Sequence, residues 1–374
     1  MQTQALVKKA IASRNALPSN SPWQPSKFWQ ETSQYLSFLL DMPPHLLLDV
    51  RLHTGFLTGQ PWYTHIHNPY SLFTEDSDKE TIPLIAGYKH LTQEIPECYW
   101  ASEPSQRPTH EKLGVWYRGR QVTDDVLRYQ YCITNLYNLG FFRDIHDAKE
   151  NKATIVEIGG GYGGLAHQIL RTHPGRFKYV ILDLPEILFW AYTFLTVNNP
   201  DLIVHFCEDE QSECFFDPLN EEYATADIIL MPNYLLPNLK VFPQHSLQLN
   251  LLSFQEMSNE QIGGYCTALS GCLNGLLYSD NFRRHWMNRE LITTVGRALT
   301  DYYYLFPTDE DYDAYNDEQV AQGIQRFFVQ AGISRKFPVS IRHLRPLMEG
   351  SGYRVMLEKP PSGSLVPAVH LIHD

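Results

Sequence analysis

The stretch TIVEIGGGYGGLAHQIL, residues 154–170, decides how the chain is read. A β-branched run closes on an acid, Glu157. Five glycines follow in six positions, and apolar residues then recur at helical spacing. That order describes a strand, a tight loop and a helix, in which backbone amides approach a ligand beyond the carboxyl end of the strand. Downstream the pattern repeats. "YVILDLPEIL" gives a second strand ending in Asp183 and a helix opened by Pro185. Short apolar runs at 202–206, 228–231, 247–251 and 275–278 alternate with helical patterns at 163–172, 185–197 and 259–273, predicting a parallel sheet with helical crossovers. At the end, "GYRVMLEK" and "PAVHLIHD" are joined by "PPSGSLV", too short for a crossover, and predict an antiparallel hairpin.

Ahead of the glycines the chain reads differently. "SKFWQETSQYLSFLLDM", "IPLIAGYKHLTQEI" and "TDDVLRYQYCITNLYNLGFF" carry helical patterns, the first with Ser26 and the third with Thr123 placed to cap. We therefore expect a mainly helical cap over residues 1–120 and an α/β domain over 121–374. The early region is dense in aromatic residues (Trp23, Trp29, Trp62, Tyr63, Trp100, Trp116, Tyr117), which suits a cover over a small-molecule pocket.

A formal net charge of −12 without a basic run argues against a nucleic-acid partner, because phosphate binding needs clustered Lys and Arg. No window approaches the roughly 18 apolar residues of a membrane helix, and no cleavable leader pattern opens the chain. The six cysteines (Cys98, Cys132, Cys207, Cys214, Cys266, Cys272) make no CxxC pair. They read as buried free thiols in a reducing cytoplasm. The acid-rich "CEDEQSE" reads as a solvated loop, so no metal is expected.

"GGGYGG" satisfies two fingerprints. Gly159, Gly161 and Gly164 fit the G-x-G-x-x-G of dinucleotide-binding enzymes, which would make this an NAD-dependent oxidoreductase. Gly159, Gly161 and Gly163 fit the E/D-x-G-x-G-x-G loop of S-adenosylmethionine (SAM) methyltransferases. Glu157 favours the second, because a carboxylate beside the loop repels a pyrophosphate and attracts an ammonium and a sulfonium. Glu157 bonding only the loop amides is the plainer alternative. Asp183, at the tip of the neighbouring strand, is placed to accept from ribose hydroxyls of either nucleoside, or to cap the helix after it.

Glu157-x-Gly-x-Gly-x-Gly, followed by "LDLPE" and later "LLSFQEM", resembles the sugar O-methyltransferase family within the class I SAM-dependent methyltransferases. The resemblance covers residues 110–282 well, and "WYRGRQVTDDVLRYQY" is similar to that family's lead-in helix. It implies a Rossmann-like, seven-stranded sheet whose last two strands are the C-terminal hairpin. It also implies SAM as cofactor and a hydroxylated, carbohydrate-containing acceptor. The cofactor residues it suggests are Glu157, Gly159, Gly160, Gly161, Tyr162, Gly163, Asp183, Leu184 and Ser253. For the adenine, "LIVHFC" and "DIILMPN" compete, and the family match leans to the latter, with Pro232 and Asn233. Arg128 in the lead-in helix is a candidate for the SAM carboxylate, or a partner of Asp124 at helical spacing.

Methyl transfer to an alcohol needs a base near the acceptor oxygen, contributing about 10²–10⁴-fold. Glu256 in "LLSFQEMS" is the first candidate and His285 in "YSDNFRRH" the second. Glu256 could instead cap the following helix, and His285 could be a surface imidazole. The run "DYYYLFPTDEDYDAY" reads as a solvent-facing loop with buried rings. A SAM-fold scaffold without turnover is the non-enzymatic alternative.

Overall fold

The computed structural model describes residues 2–54, 83–104, 114–138, 141–142, 153–209, 215–217, 219–240, 246–272, 276–281, 285, 288–299, 302–307, 328–334, 353–358 and 368–373. The chain opens with α1 (Gln2–Asn15), α2 (Lys27–Leu36), the single turn α3 (Pro44–Leu47) and α4 (Pro83–Thr92). Ser26 precedes α2, where its carbonyl accepts from Trp29 N–H, but its hydroxyl makes no capping bond. The segment "WYRGRQV" is not helical. It forms a hairpin of β1 (Val115–Tyr117) and β2 (Arg120–Val122), turned at Arg118 and Gly119, both at positive φ. The lead-in helix α5 (Asp124–Asn138) starts only after it, with Thr123 Oγ1 accepting Val126 N–H at 3.1 Å.

The strands and helices of the α/β part follow in order: β3 (Ala153–Ile158), α6 (Gly164–Thr172), β4 (Phe177–Asp183), α7 (Pro185–Asn198), β5 (Val204–Phe206), α8 (Glu221–Thr225) and β6 (Ile228–Pro232). After these come β7 (Ser246–Leu251), α9 (Asn259–Cys272), β8 (Leu276–Asn281), α10 (Val295–Leu299), β9 (Tyr303–Pro307) and β10 (Phe328–Ser334). One sheet orders them β5-β6-β4-β3-β7-β8-β10-β9. The first six are parallel; β10 runs antiparallel to both β8 and β9.

This order puts the strand from "DIILMPN" beside β4 and the strand from "LIVHFC" at the edge. All five residues of β6 are buried, so it needs covered neighbours on both sides and lies against β4, Asp183 opposite Pro232. β5 is short and half-exposed, and takes the edge. Two expectations need correcting. Among the described residues the main sheet has eight strands rather than seven, and its antiparallel end is β10 and β9, drawn partly from the tyrosine-rich run expected to be a loop. The C-terminal strands β11 (Tyr353–Glu358) and β12 (Ala368–His373) do pair antiparallel, but as a separate two-stranded sheet.

α7, "PEILFWAYTFLTVN", is apolar all round, and such a helix must be covered on every side. The sheet covers one side. The other lies under α1 and α2, with Arg14 reaching the Glu186 carboxylate at 2.6 Å in a buried ion pair. One continuous core accordingly runs from Val7 to Leu299 across the expected cap boundary. Among the described cysteines, Cys132, Cys207 and Cys266 are buried free thiols, whereas Cys98 is exposed. No described helix is long and apolar enough to cross a membrane.

Candidate functional site

The glycine loop is held by the end of β4. Gly159 N–H donates to the Leu182 carbonyl at 2.8 Å, and Gly161 N–H donates to Asp183 Oδ2 at 3.0 Å. Gly159 has φ +72°, and a Cβ there would stand 2.0 Å from Ser253 Oγ, so only glycine lets the β3 and β7 loops meet. Gly161, at φ +56°, faces open space, with nothing within 4 Å of an added Cβ. The next two glycines are sealed. Leu195 lies 2.8 Å from a Cβ on Gly163, and Tyr129 2.5 Å from one on Gly164. The start of α6, where a dinucleotide would seat its pyrophosphate, is therefore buried, and the open surface is Gly161.

Carboxylates gather around that surface. Asp183 Oδ1 accepts Leu184 N–H at 2.7 Å, so each oxygen holds one backbone amide and keeps a lone pair for a further donor. Its bond is thus to the residue before the helix rather than to a helical amide. Burial pushes Asp183 up to about 7; its two amide bonds hold it back, and Glu186 adds to the rise. Glu157 is buried beneath the loop and accepts the Tyr179 hydroxyl at 2.9 Å; burial lifts it to about 7, with Asp183's charge adding. It packs against Gly160, where a Cβ would lie 2.9 Å from Glu157 Oε2.

Beyond β7 the chain turns through Leu252, a non-glycine residue at φ +55°, whose N–H is taken by the Asp280 carbonyl at 2.8 Å. Buried asparagines hold this turn. Asn250 Nδ2 donates to the Ile158 carbonyl at 2.9 Å, while its Oδ1 accepts from Phe254 N–H and Asn281 Nδ2. Asn288 Nδ2 donates to the carbonyls of Gln255 and Met257, each at 2.9 Å. These three asparagines fix Ser253 to Glu256 against the glycine loop. Strain at a non-glycine residue, over-determined by its surroundings, is what a positioned functional loop looks like. Asn250 and Asn288 were missed from the sequence; for Asn250 the available signal was the pair of polar residues, Gln248 and Asn250, among the leucines of "LQLNLL".

Glu256 is enclosed between this turn and α2. Trp29 Nε1 donates to its Oε2 at 2.9 Å. It does not cap α9, since Ser258 and Gln261 bond each other's backbone amides there in a reciprocal box. Burial pushes Glu256 up to about 8, against the Trp29 bond, with Asp183's charge raising it and Arg128's lowering it. The preceding residue of α2, Phe28, packs its ring edge-on to His285 at 5.1 Å, so one helix covers both candidate bases. Burial depresses His285. Asp280, at the end of β8, is 2% exposed, its Oδ1 lacks a partner among the described residues, and burial lifts it to about 7.

Among the described residues, Arg128 is the cation with a resolved influence on both Glu256 and Asp280. Its ion-pair partner is Asp125, at 3.7 Å, rather than Asp124, and it donates no hydrogen bond among the described residues. Asn233, after β6, donates to the Trp23 carbonyl at 3.3 Å while its buried Oδ1 has no partner among the described residues. Tyr162 points away from the loop's open side. Its ring is buried against Phe194 and Tyr129 beneath the Arg51 guanidinium, so any contact it makes with a ligand is through its backbone. No metal-holding cluster of His, Cys, Asp and Glu occurs among the described residues.

No protein-family model matches the chain, and no curated protein matches it. Solved structures do. An O-methyltransferase family protein from Burkholderia thailandensis is 11% identical over 56% of this chain and 60% of its own, with a TM-score of 0.31. The S-adenosylmethionine-dependent methyltransferase SibL, in its apo form, is 13% identical over 56% of this chain and 58% of its own, TM-score 0.30. Magnesium protoporphyrin IX methyltransferase from Synechocystis PCC 6803, with bound SAH, is 9% identical over 57% of this chain and 88% of its own, TM-score 0.33. The chain spans about three-fifths of the length of the first two. At TM-scores this low, a functional reading rests on the sheet order and on the site geometry.

Proposed function

We propose that the protein is a SAM-dependent O-methyltransferase acting on a hydroxyl of a small molecule, with a carbohydrate-containing acceptor as the finer reading. The observation that carries it is the acid around Gly161. Burial raises Glu157, Asp183 and Glu256 at one sheet edge, Asp183's charge adds to the rise of the other two, and Arg128 is the cation that offsets Glu256. Such an edge favours a ligand with net positive charge and disfavours a pyrophosphate.

The residues present fit SAM. Asp183 keeps a lone pair on each oxygen for two ribose hydroxyls, Asn233 Oδ1 accepts no hydrogen bond among the described residues, and Arg128 has unfilled donors for a carboxylate. Bound SAM supplies an electrophilic methyl group. Glu256 takes the proton of the acceptor hydroxyl on a carboxylate oxygen, and a pKa near 8 lets it hold that proton at neutral pH. Trp29 fixes the carboxylate by its single N–H, and α2 keeps water from the exchange. The carbohydrate reading draws on the resemblance of "LDLPE" and "SFQEM" and on the aromatic residues of α2 over the acceptor side.

The test is product mass with methyl-labelled SAM and a panel of hydroxylated acceptors, sugars among them. Label transferred to an acceptor oxygen supports the reading. Binding of NAD in preference to SAM would replace it with the oxidoreductase, and SAM binding without turnover on any acceptor would leave the scaffold.

A further inference from the structure

A second cleft, of about 470 Å³, lies on the far side of α6 from the glycine loop, between the β1–β2 hairpin and the carboxyl-terminal ends of α6 and α7. Arg120 and Arg171 both line it. They are close enough that, after burial, Arg120's charge is the next cause lowering Arg171. Arg171 donates to the Trp100 carbonyl at 2.9 Å, and Arg120 to the Glu97 carbonyl at 3.3 Å with the Glu97 carboxylate 3.7 Å away. The acids of the cleft do little to offset them. Glu103 is already held by Arg51 and Thr123, which leaves the exposed Asp201. Two guanidinium groups facing one cleft on a chain of net charge −12 mark a local site for an anion.

Two buried side chains on the wall each leave one polar atom without a partner among the described residues. His167, 3% exposed, has Nδ1 on Asn199 Oδ1 at 2.8 Å. Asn199 Nδ2 is already donated to the Leu195 carbonyl, so its Oδ1 is the acceptor, His167 Nδ1 carries the proton, and Nε2 is left as a bare lone pair. Asn198, 4% exposed, spends Nδ2 on the Phe194 carbonyl and leaves Oδ1 without a donor. Burial holds His167 down to about 4, so near neutral pH it accepts and does not attract charge. Both groups therefore call for hydroxyl or amine donors, while the arginines call for an anion. Trp116, 40% exposed, adds an apolar face at the rim, and Gly119 leaves the turn beside it open.

We propose that this cleft binds a small hydroxylated anion, a phosphorylated or carboxylated sugar, with the anionic group on Arg120 and Arg171, hydroxyls on His167 and Asn198, and the ring against Trp116. The site is independent of the methyl-transfer reading, since it shares no residue with the sheet's carboxyl edge. The full chain is titrated by calorimetry with glucose 6-phosphate, glucuronate, glucose and inorganic phosphate. The expected result is binding of the sugar phosphate or the sugar acid at least tenfold tighter than that of either glucose or phosphate alone. Which of the two acids binds better identifies the anionic group. Arg120→Gln/Arg171→Gln should weaken that binding at least tenfold, and so should Trp116→Ala. All three residues are at least partly exposed, and unchanged melting temperatures verify the folds. SAM affinity should be unaffected in each. Binding of no anion, equal binding of phosphate and sugar phosphate, or affinity that survives both variants would each overturn the proposal.

Discussion

The acids around Gly161 make ligand affinity a function of pH, with a sign that separates the two cofactors. Glu157 and Asp183 stand near 7 in the free protein, and Glu256 near 8, all above their ordinary values because burial penalises their charge. A cationic ligand binds best when they are ionised, so protons leave as it binds. One group at about 7 that must ionise changes affinity about tenfold between roughly pH 6 and pH 8, and two such groups approach a hundredfold. SAM should therefore bind more tightly as pH rises. S-adenosylhomocysteine, lacking the sulfonium charge, should show a shallower rise, and NAD should weaken. Calorimetry in two buffers of different ionisation enthalpy counts the protons directly. The free protein should behave oppositely. A carboxyl whose folded pKa is raised stabilises the native state fully below its unfolded value and loses that contribution as pH climbs through the folded value. The melting temperature without ligand should thus fall between about pH 5 and pH 8. A SAM affinity that is flat or falls with pH would refute the reasoning, because the acids would then not face the ligand's charge.

Other expectations follow from single contacts. Asp183→Asn should cost about 1.5–3 kcal/mol of SAM affinity, the scale of hydrogen bonds to a charged group; it should also lower the melting temperature, since the Gly161 and Leu184 amides lose a carboxylate acceptor. Glu256→Gln should slow the chemical step about 10²-fold or more in single turnover while SAM affinity stays within a few fold. Trp29→Phe should instead shift the rise of rate with pH, the limb set by a base that must be ionised, to higher pH, because the lost N–H was holding Glu256 down; near-native single-turnover rates in Glu256→Gln would pass the role to His285. Arg14→Leu should destabilise the fold by about 3–5 kcal/mol by leaving the Glu186 carboxylate buried alone. Arg14→Leu/Glu186→Leu should recover much of that loss in chemical denaturation.

The glycine loop, the strand ending in Asp183 and the alternation that makes a parallel sheet were legible because each is written in local spacing. The place of β6 was legible in principle, since "DIILMP" is apolar on both faces whereas "LIVHFC" is bounded by polar residues, but adjacency in a sheet is a property of burial rather than of order. The hairpin of β1 and β2 was hidden inside a segment whose helical continuation, from Asp124, dominates the pattern. β9 and β10 escaped because the acid after "YYYLFP" reads as solvent-facing, and strand pairing across about twenty intervening residues has no local signature. Leu252 could not have been found at all. Its left-handed backbone is imposed by Asn250, Asn281 and the Asp280 carbonyl, long-range contacts that no spacing encodes.

The N-terminal helices tie the fold to the chemistry through α7. A helix apolar on every face cannot stand at the surface of a sheet, so α1 and α2 must cover it, and Glu186 gains its counter-charge from Arg14. The same covering layer continues to the sheet's carboxyl edge, where its Trp29 holds Glu256 and its Phe28 packs on His285. The desolvation that raises Glu256 therefore comes partly from residues that the fold requires for another reason. A chain beginning near Val122 loses the cover of α7 and the donor on Glu256 together, and should be unstable before any loss of acceptor binding can be measured. Separating the two roles takes substitutions at the end of the layer nearest the site. Trp29→Phe leaves the apolar cover in place and removes one hydrogen bond, so a changed pH profile with an unchanged melting temperature isolates the chemical role of the cap from its structural one.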